Sequence, residues 1–202
     1  MAKEKLTILL PTGHLPLGLM EAARQLAAVH SLRVYLTNRQ NLRLIDIPGH
    51  AYEEVRQELA KAGARFQEPG LFPLPTVCVG KPDCRHGLFD TEAVSTEIMR
   101  QFDGCFPSGS RLKIAVSGCC RCCSGAKLAD IGVMGTRDGC DVFAGGKGGA
   151  APIVGCRVAR GVALGEVIRI IEDLVAFHQH KGVPGQRIAE LMDDPEFPLS
   201  AC

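Results

Sequence analysis

Lys113-Ile114-Ala115-Val116-Ser117-Gly118-Cys119-Cys120-Arg121-Cys122-Cys123 is a short apolar run that passes through a glycine into a crowd of thiols. A buried strand ending in a cysteine loop is a way for a fold to present metal ligands: the strand sets the direction and the glycine lets the backbone turn. A second loop lies upstream, Cys78-Val79-Gly80-Lys81-Pro82-Asp83-Cys84. Together Cys78, Cys84, Cys119 and Cys123 read as the thiolate set of a 4Fe-4S cluster, whose four ligands must arrive from different directions. Zinc also takes thiolates, but its structural pairs usually sit about two to four residues apart, and the gap between Cys78 and Cys84 is wider. A zinc-stabilised interaction module is therefore the lesser reading. The overlapping pairs Cys119/Cys122 and Cys120/Cys123 leave the register of the second loop open. Cys105, Cys140 and Cys156 read as buried small hydrophobes, and Cys202 has no assigned role.

Working outward, Leu112 to Val116 is the buried strand, and Asp90 to Phe102 before it reads as a helix with Asp90 or Thr91 as N-cap. After the thiols come strands at Asp130 to Met134 and Asp141 to Ala144 and a glycine-rich loop at Gly145 to Gly149. A long helix from about Val162 to Phe177 follows, with Leu164, Val167, Ile168, Ile171, Leu174 and Val175 on its apolar stripe. A short helix at Gln186 to Met192 precedes the tail. Toward the N-terminus, Leu6 to Leu10 is a strand, Pro11 to Gly13 a turn, and Leu19, Ala23, Leu26 and Ala27 a helical stripe. Leu32, Val34 and Leu36, then Leu42, Leu44 and Ile47, make a hairpin, and Ala51 to Ala62 is a helix closed by Gly63. A last strand falls near Ala64 to Phe66. This β-α-β-β-α-β order is that of a ferredoxin-like unit. Pro69, Gly70, Pro73 and Pro75 mark a linker, so the chain is expected to be α+β with domains at 1–68 and 69–202.

Composition narrows the classes. The chain has 202 residues, 46% hydrophobic and 22% charged, enough for one good core or two small ones. A net charge of +1 leaves no basic footprint for nucleic acid, and 5% aromatic residues with no Trp leave no base-stacking platform. Apolar stretches are broken by charge before they could span a bilayer, and no signal segment opens the chain, so we expect no membrane and a cytoplasmic location. Ten cysteines in that setting favour reduced thiols holding metal over a disulfide framework.

Several segments, read together, resemble the nitrite and sulfite reductase family. They are Leu36-Thr37-Asn38-Arg39-Gln40-Asn41-Leu42, the two cysteine loops with the strand into Ser117-Gly118-Cys119, Leu128-Ala129-Asp130-Ile131-Gly132-Val133-Met134-Gly135, and Gly145-Gly146-Lys147-Gly148-Gly149. The resemblance covers nearly the whole chain. It implies a ferredoxin-like half domain followed by an α/β domain binding siroheme and a 4Fe-4S cluster. Cys78, Cys84, Cys119 and Cys123 would hold the cluster, and Cys123 would also bridge to the siroheme iron. The implied activity is six-electron reduction of sulfite to sulfide, or of nitrite to ammonia, chemistry that side chains cannot supply without a cofactor. The nearest type in size is the small single-copy assimilatory sulfite reductase of anaerobes.

Siroheme is rich in carboxylates, so its pocket must be locally basic. Candidates are Arg39, Arg43, Lys81, Arg85, Arg121, Lys127 and Lys147, with Arg39, Lys81 and Lys147 the candidates for holding substrate and feeding protons. Gly146 and its neighbours are expected to let backbone approach the macrocycle; no phosphate-loop string is present there. His86, two residues after Cys84, is the first histidine to consider as axial ligand or proton donor. Two departures stand out. Larger members carry two copies of the unit where this chain has one, which leaves a homodimer open. They also often carry an arginine where Tyr35 stands here, two before Thr37, and no arginine closely precedes Cys78. A rival reading is a non-catalytic siroheme and iron–sulfur electron-transfer protein. No flavin or nicotinamide motif is visible, so the expected electron donor is a separate ferredoxin-like protein.

Overall fold

The protein is described by a computed structural model for residues 3–102 and 111–199. The chain divides into two compact units, Met1–Glu68 and Pro69–Cys202. The first is a four-stranded antiparallel sheet, β1 (Lys3–Leu9), β2 (Arg33–Leu36), β3 (Leu42–Pro48) and β4 (Arg65–Phe66), in the order β2-β3-β1-β4. Helices α1 (Leu17–His30) and α2 (Tyr52–Lys61) pack on one side. That strand order is the one a split β-α-β unit produces, because each helix crosses over to seat the next strand beside a distant one. Alternation along β3 puts Leu42 and Leu44 inward, and the bulge at Asp46, φ +69, brings Ile47 to the same face; they meet Leu6 and Ile8 of β1, Leu19 and Leu26 of α1, and Val55 and Leu59 of α2. The 3.6-residue spacing of the helical residues and the two-residue spacing of the strand residues thus converge on one core.

One reading of the hairpin needs correction. The alternation of Leu32, Val34 and Leu36 implies one buried face, yet β2 is exposed along its whole length, with Leu36 69% accessible. β2 is an edge strand of four residues, all of them exposed. Leu32, just before it, is the residue that enters the core.

The second unit carries a five-stranded mixed sheet in sequential order, β5 (Thr76–Val77), β6 (Ile114–Ser117), β7 (Ile131–Thr136), β8 (Gly139–Ala144) and β9 (Cys156–Val162). The first three strands run parallel and the last three antiparallel. Helices α3 (Gly80–Asp83), α4 (Thr91–Gln101) and α5 (Leu164–Lys181) complete it. Strands β6, β7 and β8 read as near-continuous apolar runs because they lie inside the sheet. Ile98 of α4 and Val167, Ile171 and Leu174 of α5 pack on Ile114, Val116, Val133 and Val142.

Asp90 caps α4 by accepting from the amides of Glu92 and Ala93 at 2.9 and 3.1 Å. Asp90→Ala is expected to cost about 1 kcal/mol, the usual value of such a cap, seen as a lowered denaturation midpoint with unchanged slope; no change would show the helix start is held by other contacts.

Three elements differ from the sequence reading. β9 was not anticipated, since Cys156-Arg157-Val158-Ala159-Arg160-Gly161-Val162 carries two arginines and a glycine on an exposed edge. Its last residue takes over the position where the long helix was expected to begin, and Leu164 is exposed while Ile170 and Phe177 join the buried face. The short helix expected at Gln186 to Met192 is only a 3₁₀ turn over Ile188–Glu190. There the amide of Ile188 is satisfied by the Asp130 carboxylate rather than by a helical carbonyl.

Candidate iron–sulfur and siroheme centre

The two cysteine loops meet because their strands are neighbours. β5 and β6 pair in parallel, Val77 opposite Val116, and the pairing continues as the Cys78 amide donates to Val116 O at 3.2 Å. At the next step Gly118 N donates to Cys78 Sγ at 3.1 Å, and Leu88 N donates to Gly118 O at 2.8 Å. Cys78 thus lies against the residue that precedes Cys119. The end of a parallel strand pair is where an open α/β sheet commonly places its ligands.

Glycines permit this approach. A Cβ at Gly135 would sit 2.6 Å from Gly118 O, and one at Gly87 would sit 2.5 Å from the backbone of Gly80 and Lys81. Gly80 has φ +65 and opens α3, which turns the chain from Cys78 toward Cys84. Thr91 Oγ1 donates to Cys78 O, fixing the first loop to the start of α4.

Within the second loop the thiols face different surroundings. Cys122 takes a left-handed backbone, φ +56, and its sulfur accepts from Lys127 N at 3.3 Å. It packs on the small apolar cluster of Ala115, Ala126 and Ala129. Cys119 is half-buried, whereas Cys120 and Cys123 are exposed. The φ > 0 turn at Cys122 is a feature that spacing alone does not reveal. Cys140 is buried as expected, and desolvation, then the adjacent Asp141 carboxylate, push its thiol up, which makes it an unreactive core residue. Cys156 departs from the expectation of a buried free thiol, being half-exposed and disulfide-bonded. Cys105 and Cys202 lie outside the described residues.

Among the described residues no three His, Cys, Asp or Glu side chains gather as a single-ion site. This does not weigh against a cubane, whose four thiolates each bind a different iron. Soft, free thiols on two abutting loops are the donor set such a cluster takes, so the residues fit the group. Apolar side chains beside them, Val79 and Leu88 on the first loop and Leu128, Ile153 and Val154 further along, are exposed. They are the kind of surface a flat macrocycle covers.

The basic candidates fall into two groups. Lys81, Arg85 and Arg121 are exposed on the cysteine loops. Arg85 Nε donates to His86 Nε2 at 3.2 Å. Lys127 lies over the Phe143 ring at 5.5 Å, and Lys147 pairs with Glu190 at 3.7 Å. In the other unit Arg39 is exposed on the hairpin turn and Arg43 donates to Thr7 Oγ1 at 2.9 Å. His178, buried, shares Nε2 with Gln186 O at 3.1 Å and serves packing.

The glycine loop also answers to packing within the chain. Gly146 is required by the protein itself, because a Cβ there would overlap Ala129 O and lie 2.6 Å from Lys127 O. Gly145, φ +74, is covered by the Met192 side chain. Only Gly148 and Gly149 face open space. The loop closes through reciprocal bonds between Lys147 and Ile153, 2.8 and 2.7 Å.

Residues 74–195 match the nitrite and sulphite reductase 4Fe-4S domain, and residues 5–62 match the nitrite/sulfite reductase ferredoxin-like half domain. An assimilatory-type sulfite reductase of Nitratidesulfovibrio vulgaris is 25% identical over 199 residues, covering 96% of this chain and 90% of that protein. The nitrite reductase [NAD(P)H] large subunit of Klebsiella oxytoca is 31% identical over 183 residues, 90% of this chain but 19% of that protein. This chain therefore spans nearly all of the one relative and less than a fifth of the other. The crystal structure of dissimilatory sulfite reductase I superposes on 94% of this chain and 66% of its own with a TM-score of 0.78 at 13% identity, a likeness of fold. Two matched domains in the order that the strands and cysteine loops require place the chain in the nitrite and sulphite reductase family.

Proposed function

We propose that the protein is a siroheme-dependent reductase of sulfite to sulfide, or of nitrite to ammonia, with Cys78, Cys84, Cys119 and Cys123 holding a 4Fe-4S cluster and Cys123 shared with the siroheme iron. The observation that carries the reading is the abutment of the two cysteine loops through Gly118 N and Cys78 Sγ. Bound siroheme and cluster would supply the iron that takes the oxyanion and a store of electrons beside it. The chain's own part is to hold and to charge that site. Lys81, Arg85 and Arg121 project from the loops that carry the thiols, and with Lys127, Lys147, Arg39 and Arg43 they are the proposed partners of siroheme carboxylates. Gly146 serves by fixing the loop that carries Lys147. Arg39, Lys81 and Lys147 are the proposed groups for holding the substrate anion and returning protons to its oxygens, since an ammonium or guanidinium beside an oxyanion both neutralises charge and donates hydrogen bonds. Tyr35 offers no positive charge, so these residues would carry that load.

Sulfite is favoured because the relative of matching length is a sulfite reductase. Electrons are proposed to come from a separate ferredoxin-like protein in the cytoplasm of an anaerobe; among the described residues no helix is long and apolar enough to cross a membrane. A homodimer would restore the second copy that larger members carry.

Anaerobically prepared protein is expected to hold about four irons in a cluster plus one siroheme, with haem-like and iron–sulfur absorption. Given reduced methyl viologen, it should convert sulfite to sulfide with little release of partly reduced products. Stoichiometric zinc without iron would end the cofactor reading. Full cofactor occupancy with no turnover of either anion, and no spectral response to them, would end the catalytic one.

A further inference from the structure

The stretch Arg187 to Met192 touches three consecutive residues of the glycine loop. Arg187 Nη2 donates to Gly146 O at 3.3 Å, Glu190 pairs with Lys147, and the Met192 thioether lies over Gly145. Arg187 is itself anchored: its Nε donates to Asp130 Oδ1 at 2.7 Å, with the arginine side chain 10% and the aspartate 0% exposed. The same carboxylate accepts from Ile188 N at 3.3 Å and from Lys113 N at 2.8 Å, and the Asp130 carbonyl accepts from Gly145 N at 2.9 Å. One buried ion pair therefore ties together the residue before β6, the entry to β7, the C-terminal segment and the loop after β8.

We propose that Arg187, locked on Asp130, is a positioning residue that sets the glycine loop and thereby Lys147. Its relevance to siroheme rests on the function proposed above; the clamp itself does not. The planar guanidinium suits the task because one edge meets the carboxylate while another amino group reaches the Gly146 carbonyl. A lysine would neutralise Asp130 but present a single ammonium, and would leave Gly146 O without its charged donor. A buried ion pair that contributes little net stability, yet specifies one arrangement of three segments, is a known use of such pairs.

Amide hydrogen exchange on the folded protein tests the clamp. In Arg187→Lys the amides of Gly145 and Lys147, bonded to Asp130 O and Ile153 O, should exchange roughly tenfold faster, in line with loss of a hydrogen bond from a charged donor. Amides of β6 and of the middle of α5 should keep their rates. If Arg187→Lys does not fold, Met192→Ala, at a partly exposed position, carries the same test with a several-fold effect at Gly145. Loop amides at wild-type rates in the folded variants, or equal acceleration across the unit, would overturn the proposal. A second measurement, siroheme retained by the loaded protein, should fall about tenfold in Arg187→Lys, as is usual when a group supporting a ligand-holding residue is lost. Wild-type protein that takes up no siroheme would refute the proposed function while the exchange rates still decide the clamp.

Discussion

Cys123→Ser is expected to remove the siroheme signal and most of the cluster, while Cys120→Ser leaves both near wild type. The two thiols are neighbours in a five-residue run and both are exposed, so accessibility does not separate them. Register does. Cys122 is turned away by its left-handed backbone and spends its sulfur on Lys127 N within the alanine cluster. Its orientation fixes the loop between Cys119 and Cys123 as a tight turn, closed by the Cys122 amide on Cys119 O at 3.3 Å and the Gly125 amide on Cys122 O at 2.9 Å. Outer-shell partners of a metal group are typically worth ~10–100-fold in its retention. A ligand shared by two groups must be worth at least that, so siroheme content should drop more than about tenfold. Iron analysis and the visible spectrum read both groups in one preparation. If Cys120→Ser empties the site and Cys123→Ser does not, the assigned ligand register is wrong.

The sequence made the first unit legible because nearly every core residue there obeys a single period. Leu42 and Leu44 alternate, Ile47 regains their face across the bulge at Asp46, Val55 and Leu59 lie four apart, and Gly63 ends the helix at φ +87. The exposed β2 was misread because an edge strand keeps the apolar alternation of a hairpin without the burial that usually accompanies it. In the second unit the thiols were visible by type, but which of four crowded cysteines turns inward depends on a φ value that residue identity does not encode. β9 was hidden by arginines that belong to its solvent side; Arg157, for instance, reaches Asp141 at 3.2 Å. The glycines at 145 and 146 are visible in the sequence, but the demand that the chain's own packing makes on them is not. The distance between Gly146 and Ala129 in the sequence conceals their contact in the fold.

Asp130→Ala should be among the most destabilising single substitutions in the second unit, at about 3–5 kcal/mol, because it strands a buried guanidinium. The carboxylate is fully buried and takes three donors, Lys113 N, Ile188 N and Arg187 Nε. Removing it leaves two amides without their acceptor and one positive charge in a largely buried place. Apolar burial cannot compensate, since alanine fills little of the vacated space. The denaturation midpoint should fall sharply with the slope retained, as for a loss of stability rather than of compactness. Adding Arg187→Met removes the orphaned charge, and the double variant should be more stable than Asp130→Ala alone, a coupling of the sign expected for two residues that act as one unit. The stranded amides would remain, so recovery should be partial. The effect reaches the candidate centre through Lys113, whose amide is held by Asp130 one residue before the strand that delivers Cys119. An Asp130→Ala protein within about 0.5 kcal/mol of wild type, the range of ordinary surface changes, would mean that the donors find other partners and that the pair is not the hub of this unit.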